Sequence, residues 1–412
     1  MGATGLSPIP DHVPPELVID FDYYYGPEVL GEPAIGLSKL HDGPDIFYTP
    51  RNEGHWMVTR AKDARDILLD NKRFSSAVHY NRRLDPMQPY LIPAQVDPPI
   101  QTAYRKILHP LMSPAAVLKL EGEIRELTRE VIENVRAKGG CEFFSEVAQL
   151  FPTVIFLKWA NLPVSDRAML ADIVDKTTHD PTPGGQVENF TRLSSYLESV
   201  LKERRARPGD DLISKLATAK IDGQTPPEQE VLFLLTNILL GGVDTVVAGL
   251  TSFLGYLGRN PEKYRQLVDD PGIIRQALEE LMRAYGVANT ERCLKYDTEF
   301  RGIKFKKYDR IVILPALLNV DPHEIDHPLT VDFNRPQSPH MFFGVGIHHC
   351  VGAHLARLEM RIFFEEWTKA IPKFSLRPGE VIEGVGGFVF RPPHVHLVWD
   401  RAETRSPYTG KP

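Results

Sequence analysis

Cysteine is scarce in this chain. Cys141, Cys293 and Cys350 are the only three in 412 residues, and an odd, sparse count cannot build a disulfide framework and fits a reducing compartment. Each thiol therefore has to be judged alone. Surplus positive charge is also missing: 48 basic residues face 54 acidic ones, for a net charge of −6, which excludes a global cationic field for nucleic acid or an anionic membrane. The amino terminus lacks the basic-then-apolar order of a signal peptide and any run near twenty apolar residues. The chain reads as soluble and cytoplasmic. Met1-Gly2-Ala3 resembles a myristoylation start, but Leu6 stands where that motif needs a hydroxyl. There is no internal repeat. Nor is there a cysteine cluster or a dinucleotide fingerprint that would house an iron–sulfur centre or a flavin.

What the chain has is an ordinary globular balance, 42% hydrophobic and 25% charged, and strong helical periodicity. Its length would allow two or three domains of about 150 residues. The thirty-five prolines, however, punctuate periodic segments without forming a linker, and no clean boundary emerges. Ser113-Pro114 is a cap followed by a first turn, after which Val117, Leu120, Ile124, Leu127, Val131 and Val135 recur until Gly139-Gly140. Thr225, Pro226 and Glu228 read as a capping box opening a segment that is apolar almost without relief to Gly258. Such a helix would be about 50 Å long and buried through the core. Further helices are predicted from Pro271 through Met282 and after Cys350. Strands are expected in pairs at Asp45–Thr49 with His55–Thr59, Phe300–Phe305 with Arg310–Leu314, and Phe388–Phe390 with Val395–Trp399. The expected fold is mainly α with small antiparallel β-sheets, a single domain over residues 1–412 with flexible ends at about 1–10 and 402–412.

The segment Phe343-Gly344-Val345-Gly346-Ile347-His348-His349-Cys350-Val351-Gly352 is the most informative. Its glycines let the backbone turn tightly and approach something large and flat, and Cys350 stands where a helix is about to begin. The amino end of a helix favours a thiolate. A buried small thiol or a zinc site with His348 and His354 are the other readings of Cys350, although the spacing matches no paired zinc knuckle. The pattern Phe343-x-x-Gly346-x-His348-x-Cys350-x-Gly352 resembles the haem-binding signature of the cytochrome P-450 family of haem-thiolate monooxygenases. Other landmarks follow in the family's order. Glu280-Leu281-Met282-Arg283 resembles its Glu-x-x-Arg pair, and Asp332-Phe333-Asn334-Arg335-Pro336 its meander before the cysteine loop. The resemblance extends over nearly the whole chain and is nearest the soluble bacterial camphor-hydroxylase group.

That resemblance implies a haem b whose iron is ligated by Cys350, cradled by Phe343, Gly346 and Gly352, with Arg105, Arg292 and His348 as partners of its propionates. In the middle of the long helix lies Gly241-Gly242-Val243-Asp244-Thr245. Two glycines cost about 1 kcal/mol each relative to Ala inside a helix, and a buried Asp costs more unless paired. A purely structural helix would avoid them. Local widening beside the iron is the expected use, and the resemblance makes Asp244 and Thr245 an acid–alcohol pair that binds dioxygen and relays protons.

By the same resemblance the substrate pocket includes Tyr80, Leu91, Thr178, Asn237, Leu240, Ala288, Phe388 and Val389. Pro89 replaces a ketone-binding Tyr of the camphor hydroxylases, Thr290 replaces an Asp near a propionate, and Ala288 leaves extra room. The implied substrate is a small apolar compound, a compact cyclic terpenoid or norisoprenoid. Asn237 is either its polar anchor or a satisfied core amide. Electrons are expected from a two-iron ferredoxin with its reductase, docking by Arg65, Lys72, Arg105 and Arg357 on a monomeric enzyme. A peroxide-using haem-thiolate enzyme and a haem-based gas-binding protein are the rival readings.

Overall fold

The computed structural model describes residues 5–78, 90–180, 184–336, 339–406 and 408. The apolar segment forms one continuous helix, Glu228–Arg259, of 32 residues, about 48 Å long at 1.5 Å per residue. It starts later than the capping box predicts: Pro227 is the N-cap with no side-chain cap bond, because the Thr225 hydroxyl accepts from the Lys220 amine. Among the described residues it is the one helix long and apolar enough to cross a membrane, but 72% of its most apolar window is buried in protein. Its apolar character is that of a core helix.

The periodic stretch after Ser113 is broken in two, Pro114–Leu118 and Glu121–Arg136. Ser113 does cap the first piece, its Oγ accepting from the Ala116 amide at 3.3 Å. A tight turn at Lys119-Leu120 then separates the pieces, while Val117, Ile124, Leu127, Val131 and Val135 stay buried in one cluster. Burial of the stripe, not helix continuity, is what the periodicity encodes. The helix after Pro271 begins as a single 3-10 turn and continues as Ile274–Ala284; the one after Cys350 is Ala353–Ala370. One apolar cluster running from Ile92 to Trp399 gathers these helices.

The strands differ from expectation in pairing. β1 (Ile46–Thr49) and β2 (His55–Val58) form the predicted antiparallel hairpin, with Ile46 opposite Val58. The stretch Phe300–Phe305 is not one strand. It holds the end of β6 (Thr298–Phe300), a turn, and β7 (Ile303–Phe305). The reversal is made by Arg301 and Gly302 at φ 52° and 77°, the left-handed pair that a tight hairpin requires. β8 (Arg310–Ile313) instead lies parallel to β2 and antiparallel to β5 (Thr290–Leu294), in a five-stranded sheet ordered β1-β2-β8-β5-β3, where β3 is Phe74–Ser75. The sheets are therefore not all antiparallel. β10 (His396–Val398) pairs with β4 (Gly140–Glu142) and β9 (Ser375–Leu376), whereas Phe388–Phe390 contributes only an isolated bridge from Val389 to Ala288. Within the two ends, Ser7 N–H bonds the Pro50 carbonyl and Arg405 N–H the Ala370 carbonyl.

Behind the site, Glu280 and Arg283 form a buried bidentate pair with both bonds at 2.8 Å. Arg283 also donates to the carbonyls of Asn319, Pro328 and Thr330. Glu280 accepts from the Asp332 amide and from Arg335. One ion pair thus fastens the helix Ile274–Ala284 to the meander.

Candidate haem and oxygen site

A cavity lies between the long helix and the segment around Cys350. On the helix it is lined by Asn237, Ile238, Gly241, Gly242, Thr245 and Val246, the i, i+4, i+8 spacing of a single helical face. Gly241 and Gly242 are exposed within an otherwise buried run because they face this space, and a Cβ built on either meets nothing within 4 Å. The glycines thus hold open room for a large group. The helix itself remains regular: Thr245 Oγ1 donates to the Gly241 carbonyl at 2.7 Å, one turn back. The expected widening is not needed to make the room.

On the opposite wall Phe343, His348, Cys350 and Gly352 line the cavity. The loop is fixed by Cys350 N–H donating to the Phe343 carbonyl at 2.8 Å. Gly346 lies just outside the lining, where its φ is +74° and an added Cβ would stand 3.1 Å from the Leu68 carbonyl. Only glycine suits that turn. Cys141 and Cys293 are buried while Cys350 is exposed, and its exposure is to the cavity. Burial pushes the Cys350 thiol up, against the Gly352 N–H and the charges of Arg105 and Arg357. The helix-end effect expected from sequence is outweighed by desolvation; a bound cation would reverse the balance.

The polar lining fits an anionic, flat ligand. Arg105 and Arg292 both face the cavity. Burial draws the Arg292 guanidinium down to about 10, and its Nη1 is held by Thr290 Oγ1 and the Glu291 carbonyl. His348 Nε2 is buried without a partner, and burial followed by the charge of Arg292 keeps the ring neutral down to about pH 3. A buried and a half-buried cation, Arg292 and Arg105, with an orphaned imidazole around one slot call for an anion. The propionates of a haem satisfy that demand, with the Cys350 sulfur as the ligand facing the slot.

Of the expected pocket residues, Asn237 and Ala288 line the cavity. Leu240 and Asp244 do not, since they occupy the opposite helical face, where both are buried. Phe388 is 45% exposed at the surface. Val389 is buried, and its carbonyl accepts from His179 at 3.1 Å. Thr178 bonds its own turn and His179. Leu91 packs half-buried on the core, its N–H donating to Gln95. Tyr80 and Pro89 lie outside the described residues. Asn237 donates from Nδ2 to the Ile92 carbonyl at 3.0 Å.

Several lining residues carried no sequence signal. Ile155, Phe156 and Trp159 come from the helix Leu150–Trp159, which is apolar all round and shows no periodic face. Glu359 also lines the cavity, fully buried, with Oε2 unpartnered and its carboxyl pushed well above the usual range by burial. Of the basic positions expected at a docking face, Arg105 belongs to the cavity. Arg65 and Arg357 hold Glu324 and Glu279, and Arg357 also lies 4.3 Å over the Phe343 ring.

A thiol facing an open glycine face, with anion-binding groups between, defines a haem-thiolate enzyme. The cytochrome P450 family model matches residues 272–382. The chain is 33% identical to Probable cytochrome P450 127A1 of Sinorhizobium fredii over 408 residues, spanning 95% of this chain and 97% of that protein. It is 28% identical to Cytochrome P450-terp of a Pseudomonas species, over 89% and 93% of the two chains. Among solved structures, CYP101J2 superposes with a TM-score of 0.87 at 30% identity, covering 96% of this chain and all of that one, and cytochrome P450 CYP101C1 with 0.86 at 31%, covering 95% and 100%. The chain belongs to the cytochrome P450 family: a monooxygenase that binds haem b through a cysteine thiolate and uses dioxygen, an apolar substrate and an electron-donating partner.

Proposed function

We propose that the protein hydroxylates a small, cyclic terpenoid or norisoprenoid, taking two electrons from a two-iron ferredoxin served by a reductase, as a monomeric, single-domain cytoplasmic enzyme. The observation that carries the reading is the cavity itself, where Cys350 faces the open glycines and Thr245. When bound, the haem supplies the reductive activation of dioxygen.

The protein's own residues do the rest. Cys350 is the ligand, its negative charge favoured by the Gly352 N–H, Arg105 and Arg357. Arg105, Arg292 and His348, which line the cavity, would hold the propionates. Thr245 lines the cavity with its hydroxyl resting on the Gly241 carbonyl, and by turning it inward would offer a hydrogen-bond donor beside the haem. Asp244, whose carboxyl is raised by burial on the helix face turned from the cavity, holds a proton more readily than an exposed Asp and would have to swing toward Thr245 to supply it. Ile155, Phe156, Trp159, Val287 and Ala288 bind substrate by shape and exclude water. Asn237 adds one polar contact: the Ile92 carbonyl can only accept, so Nδ2 must face it, and Oδ1 is the end left for a substrate donor. Exposed Leu69 and Ile347 beside the Gly346 turn, with exposed Lys72 nearby, give an acidic ferredoxin an apolar spot with a basic neighbour.

The reduced carbon monoxide spectrum tests the reading. A thiolate-type Soret band that disappears in Cys350→Ser is expected, and a histidine-type band in the unaltered protein would overturn it. A terpenoid panel read by the spin-state shift then tests the substrate class.

A further inference from the structure

On the face of the long helix that turns away from the cavity, three side chains from two helices bring metal-ligand atoms together. Asp175 and His179 stand one turn apart on the helix Arg167–His179, and Asp244 meets them from the helix Glu228–Arg259. His179 Nδ1 is 3.5 Å from Asp175 Oδ1 and 3.9 Å from Asp244 Oδ1, and the three atoms all lie within 4.8 Å of one another. Asp244 is 4% exposed, yet its Oδ2 has no hydrogen-bond partner. The cation beside the group, Arg391, is engaged with Asp175 and the Pro392 carbonyl and leaves that oxygen bare. Solvent reaches the cluster from the Asp175 side chain, which is 29% exposed.

We propose that Asp175, His179 and Asp244 form a binding site for a zinc-class divalent cation, with water entering beside Asp175 as the fourth ligand. Tetrahedral zinc with bonds of about 2.0 Å holds its ligand atoms about 3.3 Å apart. Asp175 and His179 already stand near that separation, and a small turn of the Asp244 carboxylate closes the rest. The imidazole is set to ligate. Its Nε2 meets the Val389 carbonyl at 3.1 Å, and a carbonyl only accepts, so Nε2 carries the hydrogen and Nδ1 presents its lone pair to the two carboxylates. The Val389 carbonyl and Arg391 then supply the outer hydrogen bonds that ligating histidines and carboxylates have in metal sites. The Thr178 hydroxyl, 2.8 Å from Nδ1, gives up that nitrogen to the metal and turns to the Asp175 carbonyl, 3.1 Å away. One imidazole with two carboxylates suits zinc, whereas magnesium and calcium favour oxygen ligands alone. Two carboxylates neutralise the dication, Arg391 opposes it, and any proton on Asp244 leaves to solvent as the metal binds. The bound cation ties Asp244 to the helix Arg167–His179 and so keeps it from swinging toward Thr245. Zinc is therefore an inhibitor; this consequence, though not the binding, rests on the acid role proposed for Asp244.

The test uses the haem-loaded enzyme, zinc chloride, and the variants His179→Gln and Asp175→Asn. Equilibrium dialysis with metal analysis should find a zinc ion held by the wild-type chain and held at least about tenfold more weakly by each variant. Asp175→Asn changes a partly exposed side chain without altering its size, so it carries the test alone if His179→Gln fails to fold. In histidine-selective nitrogen-15 spectra of the diamagnetic carbon monoxide complex, zinc should shift the Nδ1 resonance of His179 while its Nε2 stays protonated, and magnesium chloride should shift neither. No zinc held by the wild type, equal binding by wild type and variants, or a shift confined to other histidines would overturn the site. Zinc should also slow dioxygen consumption driven by reduced ferredoxin in the wild type. If it binds at His179 and leaves that rate unchanged, the metal site stands and the acid role of Asp244 fails.

Discussion

Replacing Arg283 by Met is expected to cost more than any surface change in this protein. Arg283 is 1% exposed and makes five hydrogen bonds: two to Glu280 and one each to the carbonyls of Asn319, Pro328 and Thr330. Met fills a similar volume, so the cavity contribution is small and the loss is electrostatic. Removing one partner of a buried ion pair costs about 3–5 kcal/mol, because the other charge is left uncompensated. Each orphaned carbonyl adds about 1 kcal/mol or more, while Arg335 and the Asp332 amide, which still reach Glu280, return part of the loss. A net destabilisation of about 4 kcal/mol follows, a large share of the roughly 5–15 kcal/mol available to a folded chain. Urea denaturation of the haem-loaded protein measures it, with Glu280→Leu and the double variant completing a cycle. The double variant should recover about 2 kcal/mol relative to the sum of the singles, since two orphaned charges vanish together. A single-variant loss below about 1 kcal/mol, or additivity in the cycle, would show that this pair does not fasten the helix to the meander.

Three further outcomes are expected. Gly241→Leu fills the open face of the long helix, so it should lower haem content measured by the pyridine haemochrome assay while the apoprotein stays helical by circular dichroism; full loading would refute the cradle. Asn237→Leu removes an amide that lines the cavity and should reduce the preference for borneol over bornane about fivefold, the worth of a hydrogen bond near 1 kcal/mol, in spin-state titrations; an unchanged ratio would place the amide outside the substrate's reach. His55 is fully buried with both ring nitrogens unpartnered, and burial followed by the charge of Arg310 depresses it from 6.5 to about 3. The unfolded ring takes up a proton below pH 6.5 and the folded one does not, so this share of stability is whole above 6.5 and is lost as pH falls toward 3. His55→Phe should flatten the fall in urea midpoint between pH 6.5 and 4, and an unaltered slope would contradict the assignment.

The helical core was legible because burial on one stripe or all round leaves a pattern in the residues themselves, as at Val117–Val135 and along the helix Glu228–Arg259. Partners of strands were not. β8 reads as the neighbour of β7 in sequence, yet its apolar Ile311, Val312 and Ile313 are buried between β2 and β5, a choice made by the core after the hairpin turned at Arg301-Gly302. In the site, the segment around Cys350 and the Gly241-Gly242 pair stood out because each breaks a local rule in order to leave space. Thr178, Leu240, Phe388 and Val389 were drawn toward the pocket by resemblance alone, and side-chain direction set them elsewhere. Glu359 and His179 break no rule until their surroundings are known. A lone Glu in a helix and a His near its end are ordinary in sequence.

The parallel pairing of β2 with β8 bears on when this protein can fold. The Trp56 indole reaches the Asp309 carboxylate across 253 residues of chain, and the same span separates the Val395 amide from the Glu142 carboxylate that accepts from it. On the ribosome, neither sheet can close while its second half is still unmade. The walls of the cavity are therefore completed only as synthesis ends, and contacts this distant in sequence are slow to form. A cell making this enzyme must hold most of an apolar chain in solution before it can offer the finished slot to haem.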